Sequence, residues 1–143
     1  MSGSYRTTIQ IDAPPDRVFD HFVRPELLVR WMGEHARLDA IHGGEFAIDV
    51  NGVLIRGHFV RVERPTLEVT WGEPGNERMP PGSTRLVVRF VEHEAGTRVE
   101  LEHTGFHEDE AIKHARGWPH FLARLGTLAG GVDPGPDPWA LPR

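Results

Sequence analysis

Residues 97–129, TRVELEHTGFHEDEAIKHARGWPHFLARLGTLA, change from a strand-like to a helix-like hydrophobic period. The first part alternates apolar and polar residues, with Val99, Leu101 and His103 on one face, which predicts a strand. Gly105 ends this strand in the prediction. Further on, apolar residues recur every three or four positions, which predicts one long helix with a wide apolar stripe. The stripe consists of Ala111, Ala115, Trp118, Leu122, Leu125 and Ala129, widened by His114, Phe121 and Leu128.

Prolines and glycines, which interrupt or end helices, occur within the C-terminal part of this helix and in the segment after it. Pro119 lies within the helical stretch, where a proline removes one backbone hydrogen bond and costs ~3 kcal/mol. We therefore expect a kink or a restart of the helix near this proline. Gly130 and Gly131 end the helix. Residues 132–143 contain four prolines and are expected to form an extended Pro/Gly-rich tail, with Trp139 as a candidate anchor.

The N-terminal part predicts one strand followed by two short helices. Residues 5–12 alternate β-branched or aromatic residues with polar ones, which is typical of a strand. Pro14 and Pro15 end this strand and can occupy the first turn of a helix. The apolar face of the first helix consists of Val18, Phe19 and Phe22, and that of the second, after Pro25, of Leu27, Leu28, Trp31 and Met32.

Between residues 35 and 105, short strands alternate with hairpin signals. Asn51-Gly52 is the strongest of these, because both residue types adopt the positive φ angles that a two-residue turn requires. Further turns are predicted at His42-Gly43-Gly44, Arg64-Pro65 and Glu94-Ala95-Gly96. Gly57 indicates a bulge or a close approach within a longer strand. Residues 72–83 form a polar loop that we expect to be mobile. Turns of hairpin length make the sheet antiparallel.

Together these elements predict an α+β fold, in which a curved antiparallel sheet of roughly seven strands wraps around the long C-terminal helix. Two short helices follow the first strand. No internal repeat or linker is visible, so residues 1–131 are expected to form a single domain. The gap between a curved sheet and a helix is the kind of place where small ligands bind.

Composition excludes several classes of protein. The chain has 143 residues, with 16 Lys and Arg against 21 Asp and Glu, for a formal charge of −5. This mild acidity argues against nucleic acid as a partner, because nucleic-acid binding needs a clustered positive field. The absence of cysteine excludes disulfides, thiolate metal sites and cysteine nucleophiles. We see no signal peptide and no apolar run long enough to span a membrane, so we expect a cytoplasmic protein without a membrane partner.

The order of elements resembles the SRPBCC (START-like, helix-grip) superfamily. More closely, it is similar to the standalone bacterial members of the family named after the activator of heat-shock-protein-90 ATPase. The resemblance covers about residues 5–129. It is carried by Ile11-Asp12-Ala13-Pro14-Pro15 with Val18-Phe19, Pro25-Glu26 with Trp31, His42-Gly43-Gly44-Glu45-Phe46, Gly57, Pro65-x-Leu67, Trp71-Gly72, residues 99–106, and Gly117-Trp118 with Leu122 and Leu125. The resemblance implies the helix-grip fold. It does not fix an activity, because the superfamily includes lipid carriers, cyclases, hydroxylase subunits, hormone receptors and a chaperone regulator.

Nine residues are candidates for the wall of a ligand cavity. They are Trp31, Phe46, Phe59, Trp71, Val88, Leu101, His103, Trp118 and Leu122. His103 is the one titratable residue among them, and on the inner face of its strand it could act as an acid or base or orient a ligand carbonyl. Alternatively, it is a core histidine that is hydrogen-bonded to a neighbouring backbone group. Each tryptophan could pack in the core or line the cavity.

Other chemistries lack the residues they need. No His-Glu-x-x-His motif, Gly-x-Ser-x-Gly motif or phosphate-binding glycine loop is present. We therefore expect no metal and no cofactor. Arg56 and His58 flank Gly57 and are expected to face outward, although inward orientation would suit an anionic head group. Residues 107–110 resemble a helix N-terminus stabilised by the helix dipole.

Three functions remain open. The first is binding of a small hydrophobic or amphipathic ligand in a cavity between the sheet and the C-terminal helix. The second is an enzyme of the polyketide cyclase or dehydratase type with His103 as its acid or base. The third is a protein-interaction module, either chaperone-regulator-like or a homodimer formed through the tail around Trp139. Catalysis is the less expected of these outcomes.

Overall fold

The structure is a computed structural model that describes residues 2–140. It contains seven strands and three helices in these residues. The elements are β1 (Ser2–Ile11), α1 (Pro15–Val23), α2 (Pro25–Leu28), β2 (His35–Leu38), β3 (Glu45–Val50), β4 (Val53–Glu63), β5 (Thr66–Trp71), β6 (Thr84–His93), β7 (Gly96–His107) and α3 (Glu108–Ala129).

All strand pairs are antiparallel, and the strands lie in the order β1-β7-β6-β5-β4-β3-β2. Helix α3 packs on β1 and β7, and the short helix α1 packs against β6 and α3. The predicted α+β fold is therefore confirmed, including the number of strands, the two short helices after the first strand and the long C-terminal helix. Sequential strands pair through hairpins, except that β1 closes onto β7 at the other end of the chain.

Strand β4 changes its partner along its length. Residues 53–58 pair with β3, and pairing with β5 begins at Phe59. Gly57 lies at this change, and a Cβ atom there would collide with the carbonyl oxygen of Thr70. The predicted close approach at Gly57 is thus present, since only glycine lets the two backbones come this near.

The predicted end of the last strand was wrong. Strand β7 does not end at Gly105 but continues to His107, and α3 follows without a loop. Gly105 has a φ of 92° and has no opposite residue, because Gly3 pairs with Phe106 and Ser4 with Thr104. Gly105 therefore forms a β-bulge, in which a glycine continues the strand with one extra residue rather than ending it.

Helix α3 runs through Pro119 without a restart. The neighbouring side chains Trp118 and Leu122 are 3% exposed each. Burial of such side chains stabilises by ~1.5–3 kcal/mol each, so the two together offset the ~3 kcal/mol cost of an interior proline. The proline itself is exposed. Ala115 was predicted in the buried stripe but is also exposed, so the first half of α3 buries less than its period suggested.

The loop 72–83 is anchored to the core. Met79 is fully buried, and its carbonyl accepts a hydrogen bond from the Glu73 amide at 2.7 Å. The expectation of a mobile loop rested on its polar composition and overlooked this single apolar residue. The loop consequently holds Glu73 in a fixed position beside α3.

Candidate functional site

A cavity of about 160 Å³ lies between strands β4 and β5 on one side and the first half of α3 on the other. Its wall is mostly apolar, with four charged or titratable side chains toward the N-terminal half of α3. The lining residues are Met32, Val53, Ile55, Trp71, Glu73, Glu110, Lys113, His114, Gly117, Trp118 and Phe121. The apolar part can bury a hydrophobic group, and the polar part can orient it.

The cavity exists because α3 carries no side chain at one of its inward positions. A Cβ atom added at Gly117 would meet no atom within 4 Å. The flanking residues on the same helical face are His114 and Phe121, which border the space without filling it. A larger residue in place of Gly117 would therefore occupy the cavity.

Two of the nine predicted cavity residues line it. Trp71 and Trp118 are 5% and 3% exposed, and their ring centroids lie 5.5 Å apart. The structure does not bring the other seven to the cavity. Trp31, Phe46, Phe59, Val88, Leu101, His103 and Leu122 are buried in the core.

Trp31 has a structural partner for its only polar atom. Its Nε1–H donates to the carbonyl oxygen of His21 at 2.9 Å and joins the turn after α2 to α1. Its ring packs against Phe22 at 5.0 Å between centroids. This indole therefore has no donor left for a ligand.

His103 lies within a closed chain of hydrogen bonds. The Trp118 Nε1–H donates to Nδ1 of His103 at 3.2 Å. The Thr84 hydroxyl donates to the carbonyl oxygen of Trp71 at 2.7 Å and contacts Nε2 of His103 at 2.9 Å. Because the only hydroxyl proton is already used, Nε2 must be the donor to Thr84, and Nδ1 the acceptor from Trp118. The bonds thus assign the neutral Nε2–H tautomer.

This environment keeps His103 neutral. Burial, followed by the nearby His114, lowers the pKa of His103 from 6.5 to about 2. A general acid or base works best when its pKa lies near the working pH and it can reach the substrate. His103 has neither property: both nitrogens are engaged and the ring is fully buried. Its partners are side chains of β6 and α3, whereas the sequence suggested a backbone group.

The polar residues of the cavity were missed by sequence reasoning, although a signal was present. Glu110 lies four residues before His114, which the sequence already placed on the apolar stripe of α3, and so extends that stripe backward at helical spacing. Glu110 was interpreted only as part of an acidic helix N-terminus. Glu110 differs from Glu108 and Asp109 because its carboxylate stands at an inward position of the amphipathic helix, whereas theirs are exposed.

Glu110 is 4% exposed, and its two carboxylate oxygens differ. Oε1 accepts a hydrogen bond from Asn76 Nδ2 at 3.0 Å and lies 3.5 Å from Lys113 Nζ. Oε2 is buried without a hydrogen-bond partner. Burial raises the pKa of Glu110, but the bond from Asn76 and the charge of Lys113 outweigh this and lower it below 4.5. The group is therefore an ionised acceptor with one unused oxygen.

His114 presents an acceptor as well. Its Nδ1 lies 2.9 Å from the carbonyl oxygen of Glu110, which can only accept, so Nδ1 carries the proton. Burial lowers the pKa of His114 below 6.5, partly opposed by that backbone hydrogen bond. In the neutral ring Nε2 is then a lone-pair acceptor. The ring packs on Phe106 at 4.4 Å between centroids.

Trp71 has an unpaired hydrogen-bond donor. Its Nε1 is buried and has no hydrogen-bond partner among the described residues. The ring packs near His103 and Phe46, with centroids at 5.2 and 5.9 Å. An unpaired buried N–H of this kind costs about 1–3 kcal/mol, so it is a feature that needs a physical explanation.

The described part of the tail crosses the edge of the cavity. Asp137 accepts from Nε2 of His120 at 2.8 Å and from Nδ2 of Asn51 at 3.2 Å. His120 belongs to α3 and Asn51 to the β3–β4 turn, so one carboxylate joins the helix to that turn. Trp139 stacks on His120 with a centroid distance of 3.6 Å and lies 6.0 Å from Phe121. Residues 141–143 of the predicted tail lie outside the described residues.

Arg56 and His58 lie away from the cavity. Arg56 is half-buried and pairs with Asp49 at 3.0 Å, and His58 is exposed with Nδ1 3.2 Å from the Thr70 hydroxyl. Between residues 2 and 140, no group of three or more metal-ligating side chains is placed to hold an ion. None of the helices in that range has the length and hydropathy needed to cross a membrane.

Comparison with known proteins identifies the family. The family model described as activator of Hsp90 ATPase homolog 1-like protein (AHSA1) matches residues 12–130. The chain belongs to the AHSA1 family. This confirms the resemblance stated from the sequence. None of the curated proteins matches the chain.

Several solved structures resemble this AHSA1-family protein. An AHSA1-like protein from Rhizobium etli is 36% identical, with a TM-score of 0.78 over 100% of this chain and 91% of its own. CalU16 from Micromonospora echinospora is 29% identical, with a TM-score of 0.76 over 94% of this chain and 78% of its own. The Aha1 dimer from Colwellia psychrerythraea is 18% identical, with a TM-score of 0.79 over 90% and 98%, and shows the shared fold alone.

Proposed function

We propose that this AHSA1-family protein binds a small hydrophobic or amphipathic molecule in the cavity between the sheet and α3. The observation that carries the proposal is the cavity itself: an apolar wall that includes Trp71, Trp118 and Phe121, with polar groups confined to one part. Burial of apolar ligand surface in such a space supplies affinity of about 25 cal/mol per Å² before the entropic costs of binding.

The volume limits the size of the buried group. At about 160 Å³ the cavity is close to engineered apolar cavities of about 150 Å³ that bind benzene. Sites for drug-sized ligands are larger, at about 300–1,000 Å³. One aromatic or aliphatic ring therefore fits with the walls as they stand. A longer molecule has to extend out of the cavity.

Native mass spectrometry of gently purified protein, repeated after denaturation, tests the proposal directly. A bound molecule adds a mass that disappears on denaturation. Titration with benzene or toluene, followed by NMR, tests binding when no ligand is retained. The expected result is saturable binding that shifts signals of Trp71 and Trp118.

A cavity-filling variant provides the matched control. Gly117→Leu should abolish the binding, because the new side chain occupies open space, whereas Ala115→Leu places the same side chain on the exposed face of α3. Equal binding by both variants would contradict the proposal. Loss of binding in both would indicate a general effect on the helix, which thermal unfolding of each variant detects.

We also propose a cytoplasmic location and the capacity to form a homodimer. A chain without cysteine is compatible with any compartment, and a reducing cytoplasm needs no further assumption. The homodimer is supported by the Colwellia relative, which was solved as a dimer. The same native mass spectra report the number of subunits, and a mass of one chain at micromolar concentration would overturn the homodimer. Catalysis by His103 is not proposed, because the ring is buried away from the cavity.

A further inference from the structure

A groove on the surface of α3 adjoins the cavity. It has a volume of about 330 Å³ and is lined by Ile112, Lys113, Arg116, Gly117 and Trp139. Gly117 and Lys113 line the cavity as well. Because Gly117 has no side chain and a Cβ atom there would meet no atom within 4 Å, no side chain separates the two spaces at this residue.

The groove extends the site where the proposed ligand binds. We infer that this ligand is an amphipathic anion, whose apolar end lies in the cavity and whose negatively charged head group lies in the groove. The inference rests on the proposed function, because it names the chemical class and the orientation of the ligand in the same site. It is carried by the opposite charges of the two spaces and by the exposed apolar side chains that border them.

The charged residues of the groove are both cations. They are Lys113 and Arg116, and none of the described residues that line the groove is acidic. The two are three positions apart on α3, so their side chains are neighbours on the helix surface. Arg116 has no acidic residue three or four positions away, so no carboxylate on the adjacent turns of α3 competes for its guanidinium group. A carboxylate or phosphate head group can accept hydrogen bonds from both cations.

The cavity itself disfavours an anion, and this determines the orientation of the ligand. Its wall includes Glu73 and Glu110, and Lys113 already lies 3.5 Å from the Glu110 carboxylate. A further negative charge brought into this space would be repelled and would lose its hydration. The apolar end of the ligand therefore enters the cavity, and the head group stays in the groove beside Arg116.

Exposed apolar side chains border both spaces. Ile112 and Trp139 line the groove at 66% and 48% exposure, and Val53 lines the cavity at 41%. Apolar side chains that are exposed in a cluster, rather than singly, mark binding sites. Trp139 is held at the groove by its stack on His120, with the ring centroids 3.6 Å apart. A methylene chain that leaves the cavity past Gly117 therefore contacts apolar surface before it reaches the cations.

The carboxylate nearest in sequence to Trp139 does not neutralise the groove. Asp137 is not among the residues that line the groove, although it stands only two positions before Trp139. Its carboxylate accepts hydrogen bonds from His120 Nε2, Asn51 Nδ2 and the Trp139 amide. Asp137 thus anchors the tail, and the guanidinium group of Arg116 remains available to the ligand.

4-Phenylbutyrate and 4-phenylbutyramide form a matched pair for the test, because they differ only in the carboxylate or amide at the end of the same chain. A site without cations prefers the amide, since a carboxylate loses more hydration on binding. We expect isothermal titration calorimetry at low ionic strength to show the reverse, with the carboxylate bound about 10-fold more tightly. Salt at about 0.5 M should reduce this preference to about 2-fold, because it screens exposed charges. 4-Phenylbutylamine, a cation, should bind more weakly than the amide.

Glutamine variants test the two cations separately. Arg116→Gln and Lys113→Gln should each reduce the carboxylate-over-amide preference by about 3-fold at low ionic strength and leave the affinity for the amide within about 2-fold. Arg17→Gln is the matched control, because Arg17 is an exposed arginine on α1 and does not line the groove. This control should keep the full preference. Thermal unfolding verifies that all three variants fold.

Indole N–H signals in ¹⁵N-labelled protein test whether one ligand spans both spaces. 4-Phenylbutyrate should shift the signal of Trp118, which lines the cavity, and that of Trp139, which lines the groove. Toluene is too short to reach the groove and should leave the Trp139 signal in place. The Trp139 signal is assigned by its loss in Trp139→Phe.

The outcomes separate the two proposals. If neither toluene nor any phenylbutyl ligand binds, the proposed function fails and the inference fails with it. If they bind but the carboxylate has no advantage over the amide, the proposed function stands and the anionic class is wrong. If Arg17→Gln lowers the preference as much as Arg116→Gln, the preference reflects the overall charge of the protein and the groove is not the head-group site. An unshifted Trp139 signal with 4-phenylbutyrate would also contradict a head group in the groove.

Discussion

Trp118 donates its indole N–H to Nδ1 of His103 across 3.2 Å and thereby joins α3 to β7 inside the core. The same histidine reaches Thr84 of β6 through its other nitrogen. One ring therefore links the helix to two neighbouring strands, and the polar groups that make the link are fully enclosed. Such a link stabilises only while every member has its partner.

Replacement of His103 by leucine should destabilise the protein strongly. Leucine removes both ring nitrogens and leaves the Trp118 N–H buried without an acceptor, at a cost of ~2–4 kcal/mol in the free energy of unfolding. Urea denaturation measures this value. His35→Leu, at an exposed position of β2, is the control and should stay within ~0.5 kcal/mol of the wild type. Equal stability of the two variants would mean that the hydrogen-bond chain contributes nothing.

The low pKa of His103 predicts how stability depends on pH. In the folded protein the ring stays neutral down to about pH 2, whereas in the unfolded chain it takes up a proton below its ordinary pKa of 6.5. The unfolded state then binds more protons, so stability falls as the pH decreases below 6.5, by up to ~1.4 kcal/mol per pH unit for this one group. The contribution is fully present above pH 6.5.

Urea denaturation at several pH values between 5 and 7 provides the measurement. His103→Leu should reduce the slope, and the remaining slope should come from His114, whose pKa is also lowered by burial. The window stays above the range where Glu110 and Asp137 titrate, because the pKa of each lies below its ordinary value. An unchanged slope in the variant would contradict a buried neutral His103.

Two glycine-to-alanine substitutions should have opposite effects. Gly57→Ala places a Cβ atom against the Thr70 carbonyl oxygen and should cost about 3 kcal/mol or prevent folding, since backbone cannot yield as a side chain can. Gly117→Ala adds a methyl group to open space in a helix and should stabilise by ~0.5–1 kcal/mol. Thermal unfolding compares the two, and destabilisation of similar size in both would show that the distinction is wrong.

The tail should loosen when Asp137 is replaced by alanine. The carboxylate holds both His120 and Asn51, so its loss frees the segment that crosses the edge of the cavity. We expect faster hydrogen exchange and faster proteolysis in residues 132–140, with little change in the core. Glu92→Ala, which removes a carboxylate on β6, is the control. Tail protection that is unchanged in Asp137→Ala would mean that other contacts, such as the Arg124 bond to the Gly135 carbonyl and the Trp139 stack, are sufficient to anchor it.

The predictions from the sequence succeeded for structural features that depend on residues close together in the chain. The hairpin at Asn51-Gly52, the close approach at Gly57 and the amphipathic stripe of α3 are local patterns, and each is present. Prediction failed at Gly105, where a turn and a bulge need the same positive φ. It also failed at Met79, whose burial depends on contacts that no local period reports.

The cavity residues also divide into those that local sequence patterns predicted and those that they did not. Trp71 and Trp118 were predicted because large aromatic residues on inward faces have to lie in or beside any gap between sheet and helix. Glu110 was not, because its burial depends on α3 lying beside the anchored loop, where Asn76 reaches its carboxylate. His114 was placed on the apolar stripe but not at a cavity, because its position depends on Phe106 and His103 of β7. The unpaired Trp71 N–H was equally invisible, since a missing hydrogen bond is a property of all surrounding elements together.

The sequence by itself determined the helix-grip fold, the AHSA1 family and the inward faces of the strands and helices. The physical reason is that burial is encoded in periodicity: a side chain two or about 3.6 positions away shares the same face. Only the tertiary structure decided that His103 is a fully bonded core residue and that Gly117 leaves a cavity beside Glu110 and His114. A void arises where the side chains of several packed elements together do not fill the space between them, and an unpaired atom arises where none of those elements offers a hydrogen-bond partner. Neither property can be read from one element of the chain alone.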